Sequence, residues 1–136
     1  MDEDKRFLIL SLDGESYAIS IARLVEISAS PQIQKDKALS EIFEGKTDFR
    51  GKMVPVINLR KIFKMPLRGG TALLILKSAK GNLGILVDAV SEIITMDQAP
   101  APLPAGLMNP GIKYYRGILR HGERLALLLN EDGLLP

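Results

Sequence analysis

Few residues in this sequence could do covalent chemistry. The one histidine, His121, precedes Gly122 in a stretch that reads as a turn, where a histidine is usually solvated. There is no cysteine, which excludes disulfides, thiol chemistry and thiolate ligands, and no second histidine to complete a metal site. No Ser-His-Asp set is suggested. Gly69 and Gly70 are not followed by Lys-Ser/Thr, so a phosphate loop is unsupported. Arg50, Lys52, Arg60, Lys61, Lys64 and Arg68 cluster in sequence. On strands they would face different ways, which makes a solvated surface and not a nucleic-acid stripe. A net charge of +2, with three Tyr, four Phe and no Trp, supplies neither strong phosphate attraction nor base-stacking platforms. No catalytic, metal or cofactor residue is implied. By elimination the chain binds proteins.

The elements that would carry such a surface are short and strand-like. Residues 7–12, FLILSL, form an apolar run ending at Asp13-Gly14, a dipeptide that tolerates the positive φ angles of a tight hairpin. Tyr17, Ile19 and Ile21 then alternate onto one face. Residues 22–28 fit either a helical turn or a strand. Residues 34–48 are polar, and 38–43 fit a short helix within them. Strand character resumes at 52–59. Pro55 interrupts that strand and, lacking an N–H, suits an edge or a bulge. Gly51 suits a bend where a barrel closes. After a turn-rich break at 66–70, residues 72–94 read strand, Gly turn, strand. Residues 98–111 hold four prolines and read as an irregular crossing. A hairpin near His121-Gly122 follows. Acidic residues precede the first apolar run, the wrong order for a signal peptide. No run approaches the ~20 apolar residues of a membrane span.

The sequence repeats itself. Moved by 66 residues, 7–27 lies on 73–93 without a gap: Leu8 on Leu74, Ile19 on Ile85, Glu26-Ile27 on Glu92-Ile93. The same shift lays Phe49-Arg50-Gly51 on Tyr115-Arg116-Gly117. A shift of 72 then brings Asn58 onto Asn130 and Ile62 onto Leu134. This pairs 7–63 with 73–135 as half-repeats. Each half carries about five short strands and could curl into a small barrel, which removes exposed sheet edges. The repeated arginines suit either of two roles: holding a loop through carbonyls or an acid, or meeting a partner.

FRGKMVPVINLRKIF, 49–63, resembles the signature of CheW-like domains: Asn-hydrophobic-Arg-Gly, a short apolar run, Pro-hydrophobic-hydrophobic-Asp-Leu-Arg, then Phe. ESYAISIARLVEI and GNLGILVDAVSEII are similar to that family's two half-patterns, and YYRGILRHGERLALLLNEDGLL to its closing hairpin. The resemblance runs over nearly the whole chain, in family order. It implies one CheW-like domain over 1–136. The expected fold class is all-β, with two five-stranded SH3-like barrels related by a pseudo-twofold internal duplication and a groove between them. It implies a stand-alone, non-catalytic adaptor without cofactor. The expected partners are the regulatory domain of a CheA-type histidine kinase and the cytoplasmic tips of methyl-accepting chemoreceptors, with no nucleic acid and no membrane insertion. The expected location is cytoplasmic, at receptor arrays reached through those partners.

Carried over residue by residue, the resemblance places Leu24, Glu26, Gly45, Arg50 and Gly51 on the receptor side or groove. Val87 and Asp88 match the second-half Val-Asp. Pro55, Asn58, Arg116 and Gly117 read as structural. Two positions depart from the pattern: Asp48 stands where Asn is usual, and Asn58 where Asp is usual. They bear on partner identity more than on fold. Two other readings stand beside the first: an adaptor of a non-flagellar pathway such as gliding or pilus control, and a small-ligand-binding barrel.

Overall fold

The computed structural model of the chain describes residues 5–28, 32–38, 41–66, 72–103 and 113–134. Within them run β1 (Arg6–Leu12), β2 (Glu15–Ser20), β3 (Leu24–Ser28), β4 (Phe43–Phe49), β5 (Lys52–Asn58), β6 (Ala72–Ser78), β7 (Gly81–Val87), β8 (Ala89–Thr95), β9 (Tyr115–His121) and β10 (Arg124–Leu129). A 3-10 turn, Ile21–Arg23, precedes β3, so residues 22–28 hold both the turn and the strand. Single helical turns α1 (Leu59–Ile62) and α2 (Glu131–Leu134) follow β5 and β10.

The strands form two five-stranded sheets, ordered β8-β1-β2-β10-β9 and β3-β6-β7-β5-β4. Neither half of the sequence makes a barrel of its own, contrary to the simplest reading of the repeat. Each sheet takes the first two strands of one half and the last three of the other. β1 pairs with β8, and β3 with β6, all antiparallel; β2 meets β10, and β5 meets β7, in short parallel ladders.

The exchange explains the two continuous apolar runs. Leu8, Leu10 and Leu12 of β1 and Leu74 and Leu76 of β6 enter one large cluster between the barrels. The alternate residues Phe7 and Ile9 fill the first barrel, and Leu73 and Ile75 the second. A strand buried on both faces has no polar side to show, so its sequence does not alternate. The two barrels therefore share one packed core.

Each barrel closes through one backbone bridge beside a glycine. Gln34 and Lys46 exchange two N–H···O bonds of 2.8 Å, as do Ala101 and Ile118. A Cβ on Gly45 would stand 2.2 Å from the Gln34 carbonyl oxygen, and one on Gly117 2.6 Å from that of Ala101. Both glycines sit at a bulge, which leaves Glu44 and Arg116 as the extra residues. Val25 and Ser91 are the extra residues at the matching bulges of β3 and β8.

These features correct the internal alignment. Val25 and Ser91 keep the shift of 66, but everything from β4 to α1 maps onto β9 to α2 at 72 (Phe43 onto Tyr115, Ile62 onto Leu134). Gly45 is thus the counterpart of Gly117. Arg50-Gly51 is the β4–β5 hairpin turn, and Arg116 lies inside a strand.

Pro55 lies on an inner strand, not at an edge or bulge. Lys46, opposite it, gives both backbone groups to Gln34, and the β7 ladder begins only at Val56, so no partner awaits a Pro55 N–H. β4 itself was not legible as a strand, because its residues FEGKTDF are mostly polar. Of the helix expected over 38–43, residues 39–40 lie outside the described residues; Ala38, Glu41 and Ile42 are turn and Phe43 opens β4. Residues 67–70 and 104–111 of the expected turn and crossing also lie outside.

Gly45→Ala and Gly117→Ala should each lower the unfolding free energy by about 1–3 kcal/mol, the usual range for an overpacked site. Urea denaturation measures it, and an alanine tolerated at both positions would show that the bridges do not hold the chains this close.

Candidate functional site

The chemistry available to a partner gathers at the mouth of the second barrel. β3 brings Glu26 and Ser28, β4 brings Thr47, Asp48 and Phe49, and β6 closes the floor with Leu73 and Ile75. With Gln32 they line an open depression of about 240 Å³. The matching mouth of the first barrel is nearly filled, at about 10 Å³. There Ile94 stands for Ser28, Leu119 for Thr47 and His121 for Phe49, with Glu92 for Glu26. Duplication supplied two mouths, and polar side chains opened one of them.

The β4–β5 hairpin projects from the open mouth. Its two turn residues take φ angles of 53° at Arg50 and 83° at Gly51, the left-handed pair of a tight hairpin. Glycine adopts this freely, whereas an arginine there costs about 1 kcal/mol or more. Asp48 Oδ1 accepts from the Gly51 N–H at 2.9 Å and fixes the turn. Asn offers the same acceptor, so Asp48 leaves this hairpin unchanged. The Arg50 guanidinium lies over the Phe49 ring, 4.7 Å from its centre, and meets no acid among the described residues. It is exposed to solvent.

Of the residues singled out from sequence, Glu26 lines this mouth, and Arg50 and Gly51 form the hairpin turn that follows Asp48 and Phe49 of its wall. Gly45 lies buried on the same β4 strand, at the barrel closure. Leu24 pairs with Leu76 and packs against the central core instead. Arg116 is engaged: its Nη2 lies 2.9 Å from Glu131 and 3.6 Å from Asp132, and its Nε donates to Asn130 Oδ1 at 3.3 Å. Of the two repeated arginines, Arg116 thus holds acids and Asn130, whereas Arg50 meets no acid among the described residues.

Asn58 caps α1, its Oδ1 accepting from the Arg60 N–H at 3.0 Å. Asn and Asp cap about equally well, which explains why the departure leaves the fold intact.

Sequence reasoning missed Arg60. It was grouped with solvated basic residues, yet only 2% of its side chain is exposed. Nε and Nη2 reach Asp88 at 3.1 and 2.6 Å, Nη2 reaches Asp13 at 2.7 Å, and Nη1 donates to the Pro66 carbonyl at 2.9 Å. Asp88, at the bend between β7 and β8, also accepts from the Asp13 N–H at 2.9 Å. The hydrogen bonds to Asp88 and then Asp13 raise the guanidinium further above its usual range. One side chain thereby ties α1 to the β1–β2 hairpin of the other barrel. Of the other basic residues in that run, Lys61 pairs with Glu44 at 2.9 Å, and Arg68 lies outside the described residues.

All three tyrosines surround Phe63, just after α1. Tyr17 and Tyr115 stack on it at 5.5 and 5.8 Å, and Tyr114 meets it edge-on at 6.0 Å. Burial, followed by nearby Tyr115 and the acids Glu15 and Asp13, pushes the Tyr17 hydroxyl up to about 12. Among the described residues no three His, Cys, Asp or Glu side chains are grouped to hold a metal.

Fold and site define a class: a double β-barrel of SH3-like units with exchanged strands, displaying its free chemistry at a barrel mouth and hairpin. The model of the CheW-like domain family matches residues 6–136, and the chain belongs to that family. It is 29% identical to the chemotaxis protein CheW of Klebsiella aerogenes, over 96% of this chain and 81% of that protein. Against the chemotaxis protein CheW of Treponema pallidum the identity is 26%, over 95% and 81%. The crystal structure of the scaffolding protein TtCheW from Thermoanaerobacter tengcongensis superimposes with a TM-score of 0.85 at 27% identity, covering 97% of this chain and 92% of that one.

Asn58→Ala should cost about 1 kcal/mol in denaturant unfolding, the usual worth of a helix cap, while Asn58→Asp retains it. Alkaline titration gives a second check. Because the folded state holds the Tyr17 proton above its ordinary value of 10.0, its contribution to stability is complete below that pH and is lost as pH rises toward 12. Burial raises Tyr115 as well, so tyrosinate absorbance should show late ionisation of both, and Tyr17→Phe should remove the Tyr17 share of it.

Proposed function

We propose that this protein is a non-catalytic scaffold of bacterial chemosensory signalling that couples the cytoplasmic tips of chemoreceptors to the regulatory domain of a CheA-type histidine kinase. Family membership over residues 6–136 and relatives named chemotaxis protein CheW support the chemotaxis role. The observation that carries the receptor side is Arg50: exposed, without an acid partner among the described residues, and held in a strained turn next to Asp48 and Phe49, which line the open mouth. Strain kept where packing does not require it is a mark of a binding surface.

The mechanism is geometric. A rigid pair of barrels presents the open mouth and hairpin to the receptor and another barrel surface to the kinase. Single contacts of this kind are of modest area, and an array strengthens them by raising effective concentration. No helix among the described residues is long and apolar enough to cross a membrane, so the scaffold reaches membrane receptors through its partners. The Asp48 and Asn58 departures each preserve a local hydrogen bond, and neither favours a gliding or pilus pathway.

Calorimetric titration against a receptor tip fragment and against a CheA-type regulatory domain tests this reading. Arg50→Glu should weaken receptor binding about tenfold or more, equivalent to about 1.4 kcal/mol, with Tm unchanged. Folded protein that binds neither partner would sink the proposal. An Arg50→Glu variant that fails to fold would show that this arginine is structural.

A further inference from the structure

The two halves carry matching clasps with inverted charge. In the first, the cation Arg60 on α1 holds the β1–β2 hairpin through Asp13 and Asp88. In the second, the residue at the Arg60 position is Asp132 on α2. Its Oδ1 accepts from the Ala79 N–H at 2.7 Å and so holds the β6–β7 hairpin. The bulge residue Glu44, paired with Lys61 in the first half, is replaced by Arg116, paired with Glu131 and Asp132.

One substitution does not fit a simple inversion. The counterpart of Leu59, fully buried, is Glu131, also 0% exposed. Arg116 Nη2 comes within 2.9 Å of its Oε2, yet neither carboxylate oxygen accepts a well-formed hydrogen bond from another described residue. A buried charge without hydrogen bonds is costly, and proximity to a cation does not replace them.

We propose that Glu131 is a proton-responsive latch on the first barrel, taking up a proton on acidification and thereby tightening the seat of α2 against β6 and β9. The charges facing it are Arg116 from β9, Arg23 from the 3-10 turn and Asp132 from α2 itself. The one charged residue of β6, Lys77, is exposed. Burial, the largest influence, pushes the Glu131 carboxyl above its ordinary 4.5 and outweighs the opposing effects of its own backbone N–H, Arg116 and Arg23. The folded state therefore binds this proton more readily than the unfolded chain. Stability rises as pH falls from above the raised value toward 4.5, and is lost again as pH rises through it. On protonation Arg116 keeps Asp132 and Asn130, so the latch changes hands without leaving an arginine stranded.

Thermal unfolding across mildly acidic to mildly alkaline pH, for the native chain and for Glu131→Gln and Glu131→Leu, is the test. Both variants should melt higher than the native chain in alkaline solution. The Gln advantage should shrink to nothing as pH falls through the Glu131 titration. A carboxyl-carbon NMR titration of the native protein should place that titration above 4.5. An alkaline loss of Tm in Glu131→Gln, a difference that does not change with pH, or a carboxyl titrating at or below the ordinary value would each overturn the proposal. If a variant fails to fold, the titration of the native chain decides.

Discussion

The structure depends on β1 and β6 being buried on both faces. Each gives alternate side chains to its own barrel and the rest to the core between the barrels. Apolar burial is worth roughly 25 cal/mol per Å², so a strand wet on one face would forfeit a large share of its contribution. The two barrels are consequently inseparable. Neither can be taken away without exposing the leucines of the other.

Within this shared frame the copies diverged where packing allowed. The closures kept their glycines, because a carbonyl within 2.6 Å or less of a Cβ position leaves no alternative. The mouths were free to differ. Ser28 and Thr47 open one, whereas Ile94 and Leu119 fill the other. The charge pairs around α1 and α2 inverted as sets, since a clasp works with either sign at its centre. Asymmetry of function in a symmetric fold is thus carried by a few side chains at barrel ends.

Much of this was legible in the residues. Asp13-Gly14 announced its hairpin, with φ angles of 49° and 79°. FLILSL and ALLIL announced strands, though not that both faces of each are buried. Glu26 and Glu92 announced a repeat. The exchange between halves was not legible, because β3 and β8 are equivalents and the pattern of β1 suits either as neighbour. The register change from 66 to 72 was hidden by the chance recurrence of an aromatic-Arg-Gly triplet. Arg60 could not be told from its basic neighbours, since its acids lie 47 and 28 residues away and only folding brings them together. β4 escaped because a polar, bulged strand bonded through its backbone needs little apolar pattern. At the site, the Arg-Gly hairpin was visible, but the contrast between an exposed Arg50 stacked on Phe49 and an Arg116 paired with acids needed the fold.

The parallel ladders carry one more consequence, for biosynthesis. Tyr17 and Ala18 pair with Leu127 and Leu128, almost the full length of the chain away. As the polypeptide leaves the ribosome, its first half has three strands for one sheet and two for the other, and can finish neither. Domains commonly fold as they emerge, N-terminal parts first. Here the β9–β10 hairpin must arrive before the β1–β2 hairpin can be sealed, so the first barrel closes only after β10 has emerged. Such non-local topologies fold slowly because loop closure precedes the contacts that reward it. Until then the apolar runs of the nascent chain stay open to chaperones, and to neighbouring copies on the same message.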